Sequence, residues 1–213
     1  MTTLILIAKE TIPGRVKTRL HPPLSLEQAA ALAAAAIQDT LVAVASLPAT
    51  RRVLLFDGLV PPPGTAGWDV VPQAAGDLDE RLAAIFDASE GSTVLIGMDT
   101  PQLTAADLAP VFDNSRADID AWFGPATDGG FWALGMTDPN GDLIRGVPMS
   151  RDTTGTLQLS RLHAAGLHVG LLRPLTDVDT IDDAWTAADA APDSLFTATL
   201  AGFAARLPAD AVA

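Results

Sequence analysis

The sequence predicts an α/β protein, a three-layer α/β/α sandwich with a Rossmann-like, mainly parallel mixed sheet. Two short runs, Leu4–Ala8 and Thr93–Gly97, are almost wholly apolar, which is typical of strands covered on both faces. Such runs alternate with longer segments of helical pattern, and this alternation favours a sheet with helices on both sides. Because no repeat, low-complexity tract or linker interrupts the pattern, we expect residues 1–213 to form one domain.

The first half of the chain contains a strong helix start. Ser25, followed three residues later by Gln28, has the spacing of a capping box and opens an Ala- and Leu-rich segment expected to stay helical to about Ser46. A connection with three successive prolines, at residues 58–67, is expected to lie on the surface. The other elements predicted in this half are strands at Arg51–Phe56 and Trp68–Val71 and a helix at Leu78–Ser89.

The second half contains two further capping boxes. Thr104 with Asp107 predicts a helix that continues to about Arg116, and Thr180 with Asp183 predicts the start of another. Residues 138–149 are predicted to be irregular. The other elements predicted in this half are strands at Ile119–Phe123, Phe131–Met136 and Val169–Leu172, a helix at Thr156–Ala165 and two short C-terminal helices.

The amino-acid composition excludes several kinds of partner, metal site and catalytic group. With 26 acidic and 13 basic residues, the net charge of −13 would repel a phosphate backbone, so nucleic acid is not expected as a partner. Cysteine is absent, which excludes disulfides, thiolate zinc sites, iron–sulfur clusters and thiol nucleophiles. The three histidines, at 21, 163 and 168, form no metal-binding pattern. Chemistry must therefore come from Asp, Lys, Arg, hydroxyl and backbone groups.

The sequence does not predict a membrane segment. No basic residue precedes the N-terminal apolar run, unlike in a signal peptide, and the longest apolar stretch, Leu26–Leu47, contains Glu27 and Asp39. We therefore expect a cytoplasmic protein that binds small molecules. A chain of this size and charge fits either a monomer or a homodimer.

The segment Lys9–Arg19 is the strongest candidate for an anion site. It carries four basic residues against one acid and contains both lysines of the chain. A basic, glycine-containing loop between a strand and a helix can bind phosphate through fixed charges and free backbone N–H groups. The alternative is a solubilising surface loop whose cations pair with scattered acids. The segment lacks the P-loop pattern.

Carboxylates at two further places predict a metal site. Asp99 directly follows a strand, where side chains project into the ligand crevice of an α/β sheet. Asp177 and Asp179 lie two residues apart, so on an extended segment both would face the same side. Mg²⁺ or Mn²⁺ is commonly held by one or two carboxylates together with phosphate oxygens and water. For Asp99 the alternative is an Asx turn, and for Asp179 a local role at the next helix is equally weighted.

A glycine-rich connection follows the strand at Ile119–Phe123. Gly129 and Gly130 would permit close approach of the backbone to a ligand, although a tight turn between strands would need them as well.

Four motifs in a fixed order resemble those of bacterial GT-A-type transferases. They are KETIPGRVKTRL, IGMDTPQL, GPATDGGFWALGM and LTDVDTIDDAW. The group they resemble, the small glycosyltransferase A family, is similar in turn to nucleotidyltransferases, including the phospholactate guanylyltransferases and the molybdopterin nucleotidyltransferases. The resemblance runs from Leu4 to about Trp185, which is most of the chain.

The resemblance implies a nucleotide-diphosphate-binding fold and a role for each matching residue. Asp99 would hold the divalent metal, with Asp179 as the second carboxylate and Asp177 as its alternative. Lys17 and Arg19 would stabilise charge on the leaving group, and Asp128 is a candidate base. The residues implied to contact the nucleotide, its phosphates or the acceptor are Lys9, Gly14, Arg15, Gln73, Gly76, Leu78, Gly129 and Gly130.

The function implied is a metal-dependent transferase that uses an activated nucleotide, with a nucleotide-diphospho-sugar as donor. One alternative is a nucleotidyltransferase that moves NMP from NTP to a phosphorylated metabolite and releases pyrophosphate. A second is a non-catalytic nucleotide-binding protein. Two departures from the family pattern bear on nucleotide and acceptor choice: Asp79 replaces a glycine of the GDLGERL motif, and Met149-Ser150 stands where Trp-Ser is usual.

Overall fold

Seven strands form one sheet in the computed structural model, which describes residues 2–205. They are β1 (Thr2–Lys9), β2 (Arg51–Asp57), β3 (Asp69–Pro72), β4 (Ser92–Ile96), β5 (Ala121–Pro125), β6 (Phe131–Met136) and β7 (Val169–Leu171). Their order across the sheet is β3-β2-β1-β4-β6-β5-β7. Strand β6 runs antiparallel to both neighbours, whereas the other pairings are parallel, so the sheet is mixed and mainly parallel, as predicted.

Six α-helices accompany the sheet in this described part of the chain. They are α1 (Leu26–Val44), α2 (Leu78–Asp87), α3 (Ala105–Leu108), α4 (Thr154–Ala164), α5 (Ile181–Ala190) and α6 (Leu195–Ala204). The three capping boxes predicted from the sequence are present at the N-termini of α1, α3 and α5. None of the helices within residues 2–205 is long and apolar enough to cross a membrane.

Alternate strand residues bury their side chains on opposite faces of the sheet. Leu4 and Leu6 of β1 join the core beneath α1, which contributes Ile37, whereas Ile5 joins the core beneath α2 and α4. Helices α5 and α6 pack on the other side of α1, where Phe196 is 1% exposed. This arrangement confirms the predicted α/β/α layering and explains why α1 is rich in small apolar residues on more than one face.

The helix predicted from Thr104 to Arg116 is wrong in its extent. Helix α3 ends at Leu108, and two short 3-10 turns, Ala109–Phe112 and Asn114–Arg116, follow it. Pro110 explains the early end, because proline has no N–H for an α-helical hydrogen bond and its ring clashes with the preceding turn. The other predicted helices and strands agree with the structure to within two residues at each end.

Candidate functional site

A cavity of about 750 Å³ opens at the carboxyl ends of the parallel strands. Strands β1 and β2 end there at Lys9 and Asp57, and the loop after β4 carries Asp99. Loops and helix N-termini converge at this edge of an open α/β sheet, which is where such folds bind ligands. The predicted site residues that line the cavity are Lys9, Lys17, Arg19, Gln73, Leu78, Asp99, Asp128, Gly130, Asp179 and its alternative Asp177.

The basic loop directs Lys17 into this cavity. Val16 and Leu20 on either side are buried and anchor the loop to the core. Lys17 itself has a left-handed backbone with φ of 47°, which is uncommon for a residue with a side chain, and its carbonyl accepts a hydrogen bond from the Leu20 amide at 3.0 Å. The local fold therefore orients Lys17 toward the cavity.

The ammonium group of Lys17 lies between two of the predicted carboxylates. Its Nζ is 2.8 Å from Oδ1 of Asp99 and 3.2 Å from Oδ1 of Asp179, and its side chain is only 8% exposed. Arg19, which is largely exposed, donates from its guanidinium to Oδ2 of Asp179 at 2.9 Å. The structure thus brings the two predicted metal ligands together, with a cation of the chain between them.

Charge around Lys17 affects the ionisation of its neighbours. Burial acts to lower the pKa of Lys17, but the carboxylates of Asp99, Asp177 and Asp179 outweigh it and raise that pKa above its usual value. For Asp177, burial, reinforced by the charges of Asp99, Asp128 and Asp179, raises the pKa to about 7, although Lys17 acts to lower it. The carboxylates are therefore crowded enough to oppose full ionisation.

Two hydrogen bonds hold the carboxylate-bearing loops against each other. The Val178 amide donates to the carbonyl of Asp99 at 2.9 Å, and Nε2 of Gln102 donates to the carbonyl of Thr176 at 2.7 Å. Because both bonds lie within a few residues of the carboxylates, the separation between Asp99 and Asp179 is set by backbone geometry.

The donor set suits a hard divalent cation, although it is sparse. Within residues 2–205 no group of three or more His, Asp or Glu side chains is arranged to hold a metal ion. Asp99 and Asp179 nevertheless converge on one cationic nitrogen, so their oxygens can share a single cation. Two carboxylates completed by phosphate oxygens and water are the usual coordination of Mg²⁺ beside a nucleotide. The residues therefore fit a metal that arrives with a phosphate-bearing ligand.

Gln73 and Arg81 also line the cavity, and their side chains contact each other. Gln73 donates from Nε2 to the carbonyls of Ala8 and Leu55, and its Oε1 accepts from Arg81 at 3.3 Å. Arg81 also donates to the carbonyl of Gly76 at 2.8 Å. In the structure the Gln73 side chain therefore joins β1, β2 and the start of α2, while Gly76 itself does not line the cavity.

The paired glycines allow the β5–β6 connection to pack closely on the start of α4. A side chain at Gly129, where φ is 89°, would place its Cβ 2.0 Å from the carbonyl oxygen of Asp152. The Gly155 amide donates to the Gly129 carbonyl at 2.8 Å, and the Gly130 amide donates to Oδ1 of Asp128 at 2.8 Å. Gly130 and Asp128 therefore face the cavity, whereas Gly129 serves the packing behind them.

Some of the predicted contacts are not at the cavity and some cavity residues were not predicted. Gly14, Arg15, Gly76 and Gly129 do not line it. Residues that sequence reasoning missed include Asp57 at the end of β2 and Arg151 and Asp152 before α4. The position of Asp57 directly after a predicted strand was a usable signal. Arg151 and Asp152 offered none, because their approach depends on the glycine packing.

The fold is similar to that of solved transferases. A candidate nucleotide-diphospho-sugar transferase from Desulfovibrio desulfuricans G20 matches with a TM-score of 0.83 and 26% identity, over 96% of this chain and 95% of that one. The 2-C-methyl-D-erythritol 4-phosphate cytidylyltransferase from Thermus thermophilus matches with a TM-score of 0.53 and 16% identity, over 89% and 99% of the two chains. The inositol-1-phosphate CTP transferase from T. maritima matches with a TM-score of 0.52 and 11% identity, over 92% of this chain and 95% of that one. At these identities the two likenesses show the fold alone.

In sequence, the family model described as "Uncharacterized protein conserved in bacteria (DUF2064)" matches residues 28–151, more than half of the chain. No curated protein matches the chain. The matched segment contains Gln73, Asp99 and Asp128, but Lys17 and Asp179 lie outside it on either side.

Proposed function

We propose that this chain, which belongs to the DUF2064 family, is a metal-dependent transferase that acts on a nucleotide-diphospho-sugar. One observation carries the proposal: a basic loop and two carboxylates, Asp99 and Asp179, meet in one cavity at the carboxyl edge of the sheet. A diphosphate needs cations, and a divalent metal needs oxygen ligands, so this combination of charges suits the pair. The similarity to the Desulfovibrio protein over almost the whole chain supports the same class of donor.

Each wall of the cavity has a role in this proposal. Asp99 and Asp179 would hold Mg²⁺ or Mn²⁺, which when bound supplies positive charge to the diphosphate leaving group. Lys9, whose side chain is exposed at the end of β1, and Arg19 would bind phosphate oxygens. Such fixed charges stabilise a developing negative charge without reorganisation during the reaction.

The acceptor would enter on the glycine side of the cavity. Asp128 lines this side, and the Gly130 amide holds one of its oxygens while the other can accept a proton from an acceptor hydroxyl. Arg151 also lines this wall, so an acceptor that carries a negative charge would find a cationic partner there.

Nucleotidyl transfer is the second candidate. The basic side chains that line the cavity, among them Lys9, Lys17 and Arg19, would serve a triphosphate at least as well as a diphosphate. In that case the same metal carboxylates would act on an NTP, and pyrophosphate would be released instead of a nucleoside diphosphate.

A thermal-shift panel of NTPs, NDPs and nucleotide sugars, each with and without Mg²⁺ or Mn²⁺, tests the proposal. A ligand that binds only the native state raises the Tm by mass action. We expect a metal-dependent rise with a nucleotide sugar and, after acceptor screening, release of a nucleoside diphosphate. A rise with NTPs alone and pyrophosphate release would favour nucleotidyl transfer. Metal-independent nucleotide binding would indicate a non-catalytic protein, and no rise with any ligand would contradict nucleotide use altogether.

A further inference from the structure

Lys17 occupies the point at which the two proposed metal ligands converge. Its ammonium nitrogen lies 2.8 Å from Oδ1 of Asp99 and 3.2 Å from Oδ1 of Asp179, while Arg19 takes Oδ2 of Asp179 at 2.9 Å. Both oxygens of Asp179 and one of Asp99 therefore contact cations of the chain itself. The negative charges of Asp99 and Asp179 are therefore already balanced by Lys17 and Arg19.

The position of Lys17 is built into the loop. The buried side chains of Val16 and Leu20 fix the backbone on both sides, and the left-handed conformation of Lys17 directs its side chain inward. The side chain is 8% exposed, in contrast to that of Arg19, which is 75% exposed. An arginine on the surface can leave Asp179 at little cost, but the buried lysine must be attracted to another partner.

A divalent ion and an ammonium group cannot occupy the same position between two carboxylates. Their charges repel each other, and the repulsion is stronger in a partly buried site than in water. A metal that binds both Asp99 and Asp179 therefore requires Lys17 to move. Phosphate oxygens in the same cavity are the natural new partner, since an ammonium group binds phosphate as a point charge.

We propose that Lys17 is a resident counter-ion that competes with the divalent metal for Asp99 and Asp179, so that the metal and an anionic diphosphate bind cooperatively. The inference rests on the proposed function, because it takes a metal and a phosphate-bearing ligand as the occupants of the cavity. The diphosphate draws Lys17 away and frees the carboxylates, and the metal then binds both. By linkage, each ligand raises the affinity for the other by the same factor. Metal alone therefore does not assemble the site.

Equilibrium dialysis of the full chain against Mn²⁺ alone tests this inference without any activity assay. The wild-type protein is expected to bind Mn²⁺ weakly. In Lys17→Met the aliphatic stem is kept and the charge is lost, so Mn²⁺ should bind roughly tenfold more tightly, within the range common for coupled sites. Lys17→Arg keeps the competing charge and should bind Mn²⁺ as weakly as the wild type.

A matched control separates this effect from the loss of one positive charge anywhere in the protein. Arg51 lies at the start of β2, at the end of the sheet away from the cavity, and pairs with Asp69. Arg51→Gln should leave Mn²⁺ affinity at the wild-type value. If Lys17→Met fails to fold because its carboxylates are uncompensated, the double variant Lys17→Met/Asp177→Asn restores the charge balance and should still bind Mn²⁺ more tightly than the wild type.

Inorganic pyrophosphate supplies the second arm. Pyrophosphate is present in both dialysis compartments, so Mn²⁺–pyrophosphate complexes in solution contribute equally to both sides. The excess of Mn²⁺ on the protein side then measures binding to the protein. Compared with Mn²⁺ alone, this excess should increase for the wild type and much less for Lys17→Met. The inference is overturned if removal of the Lys17 charge does not tighten Mn²⁺ binding. Tighter binding by Lys17→Met together with no nucleotide binding in the thermal-shift panel would instead overturn the proposed function and leave the counter-ion role intact.

Discussion

Two clusters in this protein each have a basic side chain surrounded by three carboxylates, and in the first of them Arg19 adds a second cation. They differ in almost every other respect. In the first, Lys17 lies within the cavity and contacts Asp99 and Asp179, with Asp177 close enough to affect its pKa. In the second, Arg145 pairs with Glu80, Asp87 and Asp142 at the surface, outside the cavity. Similar charges therefore occur in the candidate site and in a surface cluster outside the cavity.

The geometry of the cation accounts for the difference. The guanidinium of Arg145 uses Nε, Nη1 and Nη2 for three separate acids, which fixes the segment around residues 140–147 against α2. Hydrogen bonding to Asp87 is the main cause that raises the pKa of Arg145. Lys17 instead presents a single charged atom to two acids, and it lines a cavity in which a bound phosphate would be an alternative partner. A planar fork stabilises one arrangement, whereas a point charge on a flexible stem can be exchanged.

The largest effect is expected from Asp99→Asn, which distinguishes the clusters directly. Loss of one proposed metal ligand should abolish the metal-dependent part of the nucleotide-induced Tm rise and lower turnover by about a hundredfold or more, because the metal supplies several kcal/mol of charge stabilisation. Thermal shift with and without Mn²⁺ and a product assay measure the two effects.

The matched control for this substitution is Asp138→Asn. Asp138 is exposed and lies just beyond β6, whose last residue, Met136, pairs with Thr93 at the end of the sheet opposite the cavity. Asp138→Asn should leave both the metal-dependent Tm rise and the turnover unchanged. Equal behaviour of the two variants would show that the Lys17 cluster is as structural as the Arg145 cluster.

The second prediction concerns Arg145→Met, which should lower thermal stability without affecting ligands. Three acids lose their common partner, so they repel each other, and the contact between α2 and residues 140–147 is weakened. Because the group is on the surface, the decrease in Tm should shrink as salt is added. Mn²⁺ dialysis and the nucleotide panel should give wild-type values, and a loss of ligand binding would contradict the structural role.

The general position of the site follows from the sequence, because strand ends and capping boxes are local features. Asp99 after an apolar strand and Lys9–Arg19 after the first strand both led to the cavity. The contact between Lys17 and Asp179 did not follow, since it joins residues 162 positions apart and depends on the left-handed backbone at Lys17. The capping box at Thr104 predicts where α3 begins but not where it ends, so the predicted helix is too long, and Pro110 accounts for its early end.

Gly129 and Gly130 also show that the sequence does not identify which residues a loop contacts. Gly129 and Gly130 were both expected to border a ligand, yet only Gly130 lines the cavity. The sequence indicates that such a loop approaches something closely, but not whether that is a ligand or the backbone of Asp152.

The ion pair between Arg173 and Asp107, outside both clusters, allows a prediction of how stability depends on pH. Burial would raise the pKa of Asp107, but hydrogen bonds from Arg173 and Thr104 lower it below its usual value. A carboxyl whose pKa is depressed by folding contributes stability above its unfolded pKa of about 3.9, and that contribution is lost as the pH falls through the folded value. The Tm difference between wild type and Asp107→Asn should therefore be greatest near neutral pH and disappear in acid. A difference that is constant with pH would contradict this assignment.

The smallest effect is expected from Asp79→Ala. This substitution tests whether the departure from the GDLGERL motif of the family that the sequence resembles concerns the nucleotide. Oδ2 of Asp79 accepts a hydrogen bond from the Gly146 amide at 2.7 Å, so this side chain joins the same surface segment that Arg145 fixes. Loss of that bond, and of an acid in the first turn of α2, should cost about 1 kcal/mol or less in the free energy of unfolding. Chemical denaturation measures this cost. The ranking of nucleotides by the Tm rise that they cause should not change, because the Asp79 carboxylate already binds the Gly146 amide. A changed ranking would show that Asp79 belongs to the nucleotide site and not to the surface cluster around Arg145.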